Sequence, residues 1–171
     1  GIPAEPLFRS SYVNIPSTFT YEDAEYSVKD IDSKAFEETN ITSLKIGEGV
    51  LSIGQEAFQN CSKLSSVSFP STLTTIGISA FKYCYQLSSI VIPSGVTSIE
   101  DMAFTACTNV SSISVAEGNN VYKSQGSNSI IETATNKLIL GCKNSVIPDG
   151  VTEIGHEAFF NCQMSSIKIP S

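Results

Sequence analysis

The sequence predicts a β-dominated α/β protein, built as a right-handed solenoid of about five coils of 22–23 residues with one interruption that contains a hairpin. Two observations lead to this prediction. Five Ala-Phe pairs recur, and their phenylalanines are 22, 23, 23 and 55 residues apart. The apolar residues around each phenylalanine recur at the same offsets. A repeat of this length is typical of a solenoid, in which each coil contacts its neighbours.

Each repeat can be aligned on its phenylalanine. The five are Phe36, Phe58, Phe81, Phe104 and Phe159. An isoleucine stands five residues before each of them: Ile31, Ile53, Ile76, Ile99 and Ile154. A small residue stands three residues after each: Thr39, Cys61, Cys84, Cys107 and Cys162. Such regular apolar positions indicate a continuous core that runs through the stacked coils.

The pattern within a repeat predicts three local structures. In Leu87 to Ile92 the apolar residues are the first, fourth and sixth, which is typical of a leucine-rich-repeat strand, and Pro93 ends it. We expect parallel strands at residues 44–46, 67–69, 90–92, 113–115 and 167–169. Segments such as Leu73 to Ile76 predict a second short strand, before a glycine that permits a turn. The A-F-x-x-C segments predict one helical turn each.

The two ends and the long spacing define the expected organisation. We expect an N-terminal cap at residues 1–27, where Phe19 to Val28 alternate as in a strand or hairpin, and a solenoid at residues 28–171. The interruption covers about 116–147, and its apolar stretches at 129–133 and 137–142 predict a hairpin. The sequence ends after the last predicted strand without a polar cap. We therefore expect either a longer array or association through the uncapped C-terminal coil.

The cysteines are predicted to be buried and reduced. Cys61, Cys84, Cys107 and Cys162 hold one repeat position, which suits a small buried apolar residue. Paired strands are about 5 Å apart, so distance alone permits a disulfide, but three consecutive thiols cannot all pair. A metal site is disfavoured because no C-x-x-C pair occurs and His156 is the only histidine.

Composition disfavours several classes of function. The net charge of −7 would repel the phosphates of nucleic acid, so we expect no nucleic-acid partner. No apolar run approaches the roughly 18 residues of a membrane helix. The acidic N-terminal region lacks the spacing of a calcium loop. No serine or cysteine has a recognisable histidine partner, so we expect no catalytic site, no cofactor and no bound metal.

The complete motif is V-x-x-I-G-x-x-A-F-x-x-C-x-x-L-x-x-I-x-I-P, and residues 73–104 match it almost residue by residue. With this motif the chain resembles the BspA-type leucine-rich-repeat family, found on the surfaces of gut and oral bacteria and of some parasitic protists. The resemblance implies a secreted or cell-surface module that binds host proteins or glycans. We recognise no signal peptide or lipid anchor in the sequence.

The expected binding surface combines small hydroxyls with aromatic side chains. The hydroxyls belong to three serine pairs on the predicted strand face, Ser65, Ser66, Ser88, Ser89, Ser111 and Ser112. The aromatic candidates are Tyr83, Tyr85 and Tyr122, because tyrosine concentrates binding energy on a rigid side chain. The alternatives stay open: the serines could simply be tolerated on an exposed strand, and the tyrosines could pack between coils. We expect an adhesion module, or alternatively a structural spacer or assembly module within a larger surface protein.

Overall fold

The structure is a computed structural model that describes residues 11–169. Within these residues it contains fifteen short strands and no helix. The first strands are β1 (Tyr12–Ile15), β2 (Thr18–Tyr21), β3 (Ala24–Ser27), β4 (Asp30–Ile31) and β5 (Ser43–Ile46). Those of the central repeats are β6 (Ser52–Ile53), β7 (Ser66–Ser68), β8 (Thr75–Ile76), β9 (Ser89–Ile92), β10 (Ser98–Ile99) and β11 (Ser112–Val115). The last are β12 (Tyr122–Lys123), β13 (Ser129–Glu132), β14 (Lys137–Gly141) and β15 (Glu153–Ile154).

Parallel strands from successive repeats form one side of the stacked coils. β1, β5 and β7 make one sheet, in that order, and β9 and β11 make the next. The two sheets follow one another, because the amide of Ser88 donates to the carbonyl of Ser65 at 3.2 Å. This arrangement confirms the parallel strands predicted at residues 44–46, 67–69, 90–92 and 113–115.

The strand predicted at residues 167–169 does not form, so that prediction is wrong. Ile169 is 67% exposed. The physical reason lies at the edge of β11, where side chains rather than another strand meet the backbone. Asn144 Nδ2 donates to the carbonyl of Ser111 at 3.1 Å, and Ser124 Oγ accepts from the amide of Val115 at 3.3 Å. Residues 167–169 therefore have no neighbouring strand with which to pair.

A second side is formed by β4, β6, β8 and β10, which pair in parallel. Gly54 and Gly77 follow two of these strands. A Cβ atom on Gly77 would lie 2.8 Å from the backbone carbon of Gly54, and one on Gly54 would lie 2.7 Å from the amide nitrogen of Ser33. Neither glycine has a positive φ. The close approach of adjacent coils, and not the expected turn conformation, explains the glycine at this position.

The A-F-x-x-C segments form corners instead of the expected helical turns. We call corners the segments 34–39, 56–61, 79–84, 102–107 and 157–162. In each corner the residues two before and two after the phenylalanine have a positive φ; for Phe81 these are Ser79 (φ 54°) and Tyr83 (φ 64°). Alternate amides bond within the corner, such as Cys84 to Phe81 at 3.2 Å. The others reach the next coil: those of 79, 81 and 83 donate to the carbonyls of 101, 103 and 105 at 3.1, 2.7 and 3.0 Å.

The phenylalanines of the first four corners stack in a column. The ring centroids of Phe36, Phe58, Phe81 and Phe104 are 5.1–5.3 Å apart, with interplanar angles of 6–9°. Phe69 meets Phe81 edge-on at 5.5 Å. The column confirms the continuous core expected from the repeat, and Phe81 stacks on both Phe58 and Phe104 at its centre.

The cysteines are free, and each thiol has a hydrogen-bonding role. Cys61, Cys84 and Cys107 donate from Sγ to the carbonyl of the phenylalanine in the preceding corner, at 3.1–3.3 Å. Thr39 Oγ1 donates to its own Phe36 carbonyl at 2.9 Å. Cys61 and Cys84 are buried as predicted, whereas Cys107 is half-buried. A small side chain that can donate a hydrogen bond therefore suits this position better than a purely apolar one.

The described part of the predicted cap, residues 11–27, contains a hairpin and an extra solenoid strand. β2 and β3 pair antiparallel, and Phe19 stacks on Tyr26 at 5.4 Å. β1 instead pairs in parallel with β5 and so continues the first side of the coils. The first ten residues of the cap, and residues 170–171, lie outside the described part of the chain.

Replacing Phe81 should destabilise the whole stack. Phe81→Ala removes ring contacts with both neighbouring coils and leaves a cavity, so we expect a loss of about 3–5 kcal/mol in the free energy of unfolding. Denaturant unfolding measures this loss. Ser89→Ala, an exposed change in the same repeat, should alter stability by no more than about 0.5 kcal/mol. Equal losses for the two variants would contradict the column as the centre of the core.

The thiols should make stability fall in alkaline solution. Burial raises the pKa of the Cys107 thiol from 9.0 to about 12, so the folded state holds this proton more tightly than the unfolded state does. The resulting stabilisation is complete below pH 9 and is lost between pH 9 and about 12, by at most about 1.4 kcal/mol per pH unit. Cys107→Ala should unfold with a weaker pH dependence in this range. Urea unfolding at several pH values measures this. If the free energy of unfolding of Cys107→Ala falls with pH as steeply as that of the parent chain, the prediction is wrong.

Candidate binding surfaces and the interruption cleft

The first side of the coils presents two outward rows of side chains, which together we call the strand face. The first row contains Tyr12, Ser43, Ser66, Ser89 and Ser112. The second row contains Asn14, Lys45, Ser68, Val91 and Ser114. Both rows run across successive coils, because strand pairing places equivalent residues side by side. The face is nearly uncharged, with Lys45 as its one ionised side chain.

The two serines of each predicted pair have different roles. The hydroxyls of Ser65, Ser88 and Ser111 each donate to a backbone carbonyl in the preceding coil, at 2.9–3.4 Å. These three serines therefore help to hold coil to coil. The second serine of each pair belongs to the strand face and is exposed: Ser66, Ser89 and Ser112. Among them, Ser66 Oγ donates to Ser43 Oγ of the preceding coil at 2.9 Å, and none of the three donates to a backbone carbonyl.

Tyr83 and Tyr85 lie together at the corner of the third repeat. Their ring centroids are 5.9 Å apart, and Lys82 Nζ lies 5.2 Å from the centre of the Tyr83 ring. Tyr85 is 40% exposed, and Tyr83 is half-buried. The neighbouring repeats carry the small residues Ser62 and Thr108 at the position of Tyr85. The two tyrosines, which we call the aromatic patch, therefore stand out from the coils around them.

Tyr122 does not belong to any exposed surface, which corrects the expectation from the sequence. It is only 5% exposed, and its hydroxyl accepts a hydrogen bond from the amide of Ile99 at 2.9 Å. Burial raises its pKa. In regular coils the edge of the strand that contains Ile99 would meet a following strand. Where the interruption begins, the hydroxyl of Tyr122 takes the place of that strand.

Tyr12 and Asn14 are surface candidates that the sequence analysis missed. β1 adds them to the strand face, and Tyr12 is 48% exposed. Val13, Ile15 and Pro16 repeat the apolar-x-apolar-Pro ending of the other strands. That pattern could have identified β1 as a repeat strand, although no Ala-Phe pair precedes it.

The interruption contains the predicted hairpin and replaces a regular corner by a shorter one. β13 pairs antiparallel with β14, and Leu138 of β14 then pairs in parallel with Ile154 of β15. Gly141 takes the place of a phenylalanine: its amide donates to the carbonyl of Ala158 at 2.8 Å, and its carbonyl accepts from Cys162 Sγ at 3.4 Å. Two residues separate Leu138 from Gly141, whereas four separate Ile76 from Phe81.

The short corner leaves an open space, which we call the interruption cleft. Its volume is about 290 Å³, and it lies between the corner that contains Phe104 and the segment 155–157. Its apolar lining includes Ile99, Met102, Ile139 and Leu140. Its carboxylates are those of Glu100, Asp101, Glu132 and Glu157. His156 Nδ1 lies 3.4 Å from both carboxylate oxygens of Asp101, which joins the two walls.

Two findings bear on metal and membrane chemistry. In the described part of the chain, no three histidine, cysteine, aspartate or glutamate side chains are placed to hold a metal ion. No helix long and apolar enough to cross a membrane occurs among residues 11–169.

The repeats match a family model described as the BspA type leucine rich repeat region, with six copies over residues 29–140 and 128–171. The chain belongs to this family. Membership confirms the leucine-rich-repeat fold, while the handedness and the expected five coils stay predictions. No curated protein matches the chain.

Three solved structures are similar to this BspA-type chain. A leucine-rich repeat protein from Bacteroides capillosus is 35% identical over 63% of this chain and 78% of its own, with a TM-score of 0.58. One from Bacteroides ovatus is 34% identical over 61% of this chain and 33% of its own, with a TM-score of 0.50. The pneumococcal vaccine antigen PcpA has the same fold, with 16% identity over 92% and 54% of the two chains and a TM-score of 0.70.

Gly141 should be essential for the last coil to pack. A Cβ atom at this position would lie 2.0 Å from Cε1 of Phe159, so Gly141→Ala forces the ring to move and should lower stability by roughly 1–3 kcal/mol. Thermal or urea unfolding tests this. In the double variant Gly141→Ala with Phe159→Ala the clashing ring is absent. The loss of stability in the double variant should therefore be smaller than the sum of the losses in the two single variants. Strictly additive losses would contradict the contact.

Proposed function

We propose that this BspA-type chain is a non-catalytic, secreted or cell-surface module that binds an extracellular protein or glycan through the strand face and the aromatic patch. One observation carries the proposal. The strand face spans several coils with outward side chains that are mostly small and uncharged, while the core lies on the other side of the same strands. Such positions can change without cost to the fold.

The chemistry of the strand face suits a neutral partner that makes many hydrogen bonds. Strands in the face are about 4.8 Å apart, so five of them offer an extended surface roughly 20 Å long. Serine hydroxyls both donate and accept hydrogen bonds, and Tyr12 and Val91 supply exposed apolar area. An extended polypeptide or a glycan chain presents matching polar groups at similar spacing.

The aromatic patch supplies the residues on which affinity should depend most. Tyrosine is enriched among residues that dominate binding energy, because it buries a large rigid ring and retains a hydroxyl. Tyr85 lies three residues before Ser88 and four before Ser89 in the sequence, and the stacked coils hold its backbone in place. A partner on the strand face can therefore extend to the aromatic patch.

The relatives support a surface role. Family membership makes the chain one of a class of repeats that serve as scaffolds for protein interactions. This chain spans a third of the Bacteroides ovatus protein and about half of PcpA. Any binding activity of a longer protein that contains this chain is therefore part of the same proposal.

Binding should be lost when the strand face is blocked. The purified chain is screened at physiological salt against an array of extracellular-matrix proteins and a glycan array, and each hit is titrated by surface plasmon resonance. Ser89→Arg places a large cation in the middle of the face, and Tyr85→Ala removes the exposed ring. We expect each to weaken binding by about tenfold or more.

A control variant distinguishes the loss of a specific binding surface from a general effect of adding an arginine to the chain. Thr97→Arg introduces the same side chain at an exposed position beside β10, on the other side of the coils. It should leave affinity unchanged. Ser89→Arg should keep the thermal stability of the parent chain, whereas Thr97→Arg loses the hydrogen bond from Thr97 Oγ1 to the carbonyl of Thr74 at 3.4 Å and should lose a little stability without losing affinity. Absence of saturable binding to any array member would contradict the proposal and favour a structural spacer. Equal losses for Ser89→Arg and Thr97→Arg would contradict the strand face.

A further inference from the structure

The interruption cleft breaks the hydrogen-bonding pattern that joins all other coils. In the first three corners, the amides of the phenylalanine and of the residues two before and two after it donate to the next coil. The equivalent amides of the fourth corner belong to Met102, Phe104 and Ala106. Within residues 11–169 these three amides donate no hydrogen bond.

The unpaired amides of Met102 and Phe104 belong to the lining of the cleft, and that of Ala106 belongs to the lining of the adjoining crevice. Met102 and Ala106 have φ values of 57° and 62°, close to the 54° and 64° of Ser79 and Tyr83, so the backbone of this corner has the same course as that of the preceding one. Its alternate amides therefore face the following coil. Backbone amides are strong hydrogen-bond donors, so amides that face an open cleft are available to a bound group.

The opposite wall offers hydrogen-bond acceptors. In a regular pair of coils, three carbonyls of the following corner accept from the preceding one. Here the short corner supplies only the amide of Gly141, which the carbonyl of Ala158 accepts at 2.8 Å. In the described chain the carbonyls of His156 and Phe160 accept no backbone hydrogen bond. The cleft thus has the amides of Met102 and Phe104 on one wall and the carbonyl of His156 on the other.

Glu157 provides a third independent observation. Its Oε2 atom is buried and has no hydrogen-bond partner in the described structure, although its carboxylate belongs to the lining of the cleft. Glu100, Asp101 and Glu132 line the same space, and so does the cation Lys137, which is paired with Glu153 at 2.7 Å. The cleft therefore carries negative charge that a bound cation would neutralise.

We propose that the interruption cleft binds a short extended peptide of a partner protein that carries a lysine or arginine. The peptide carbonyls accept from the amides of Met102 and Phe104, and a peptide amide donates to the carbonyl of His156. Its basic side chain donates to Glu157 Oε2. The peptide takes the place of the missing corner, as a strand added to an open sheet edge does.

The size of the cleft limits the peptide to small residues beside the basic one. Its volume of about 290 Å³ is near the lower end of the roughly 300–1,000 Å³ of typical ligand pockets. The adjoining crevice next to Ala106 has about 10 Å³, which is room for about one water molecule. The bound segment therefore lies at the Met102 end of the corner.

The proposal rests on the proposed function only in that both describe a binding module, and the two sites are on different parts of the coils.

A phage-displayed library of linear heptapeptides is selected on the immobilised chain, and enriched peptides are titrated by fluorescence polarisation. We expect peptides with one lysine or arginine among small residues. In NMR spectra of the parent chain, these peptides should shift the amide signals of Met102 and Phe104 and slow their hydrogen exchange.

Matched variants identify the site. Glu157→Gln keeps the shape of the side chain but removes its charge, and should weaken binding of the enriched peptides by about tenfold. Glu117→Gln changes an exposed carboxylate outside the cleft and should have no such effect. Ser89→Arg on the strand face should leave peptide binding intact, so each of the two sites can fail without the other.

Several results would overturn the proposal. Selection of no common sequence, or of peptides without a basic residue, would do so. So would NMR shifts confined to the strand face, or equal affinity of the parent chain and Glu157→Gln. The NMR readout uses the parent chain, so it decides the matter even if Glu157→Gln is too unstable to study.

Discussion

The fold depends on hydrogen bonds between the corners of successive coils. Alternate amides in a corner bond within it, and the others bond to the next coil, so the backbone serves two sets of partners at once. This division requires a positive φ on both sides of each phenylalanine, at residues such as Lys34, Glu38, Glu56 and Asn60. Positive φ is unfavourable for these residues, and it persists because each coil is held by its neighbours.

The side chains of the corner complete the same arrangement. The phenylalanine column fills the space that stacked corners enclose, and the thiol of the following coil bonds to the phenylalanine carbonyl. Glycine is needed where the backbones approach most closely, as at Gly77. Most residues of a repeat therefore pack against or bond to the neighbouring coil, and the outward rows of the strand face remain available for a partner.

The interruption shows what happens when one corner is shortened. Gly141 preserves the middle hydrogen bond to the last coil, and Tyr122 meets the amide of Ile99 with its hydroxyl. The remaining backbone groups on both walls stay unpaired in the described chain. A local change in chain length thus produces both a cleft and a set of backbone groups that line it.

Much of the fold could be predicted from the sequence, because apolar residues recurred at fixed offsets and only stacked coils can bury all of them. The periodicity determined the two kinds of strand, the phenylalanine column, the buried cysteines and the hairpin between 129 and 142. It also placed Ser66, Ser89 and Ser112 on an exposed strand. The hairpin follows from the two apolar stretches of the interruption itself, and the other conclusions rest on the local pattern of one repeat, compared with its copies.

The tertiary structure decided the features that depend on contacts between repeats. Corners replaced helical turns because their amides bond to the next coil, and residues 167–169 formed no strand because side chains cover the edge of β11. Tyr122 is buried because its hydroxyl caps Ile99, and Ser65, Ser88 and Ser111 bond to neighbouring carbonyls. The interruption cleft arises from a missing corner. A sequence pattern records which residues are apolar, but the partners of backbone amides are set only when the coils stack.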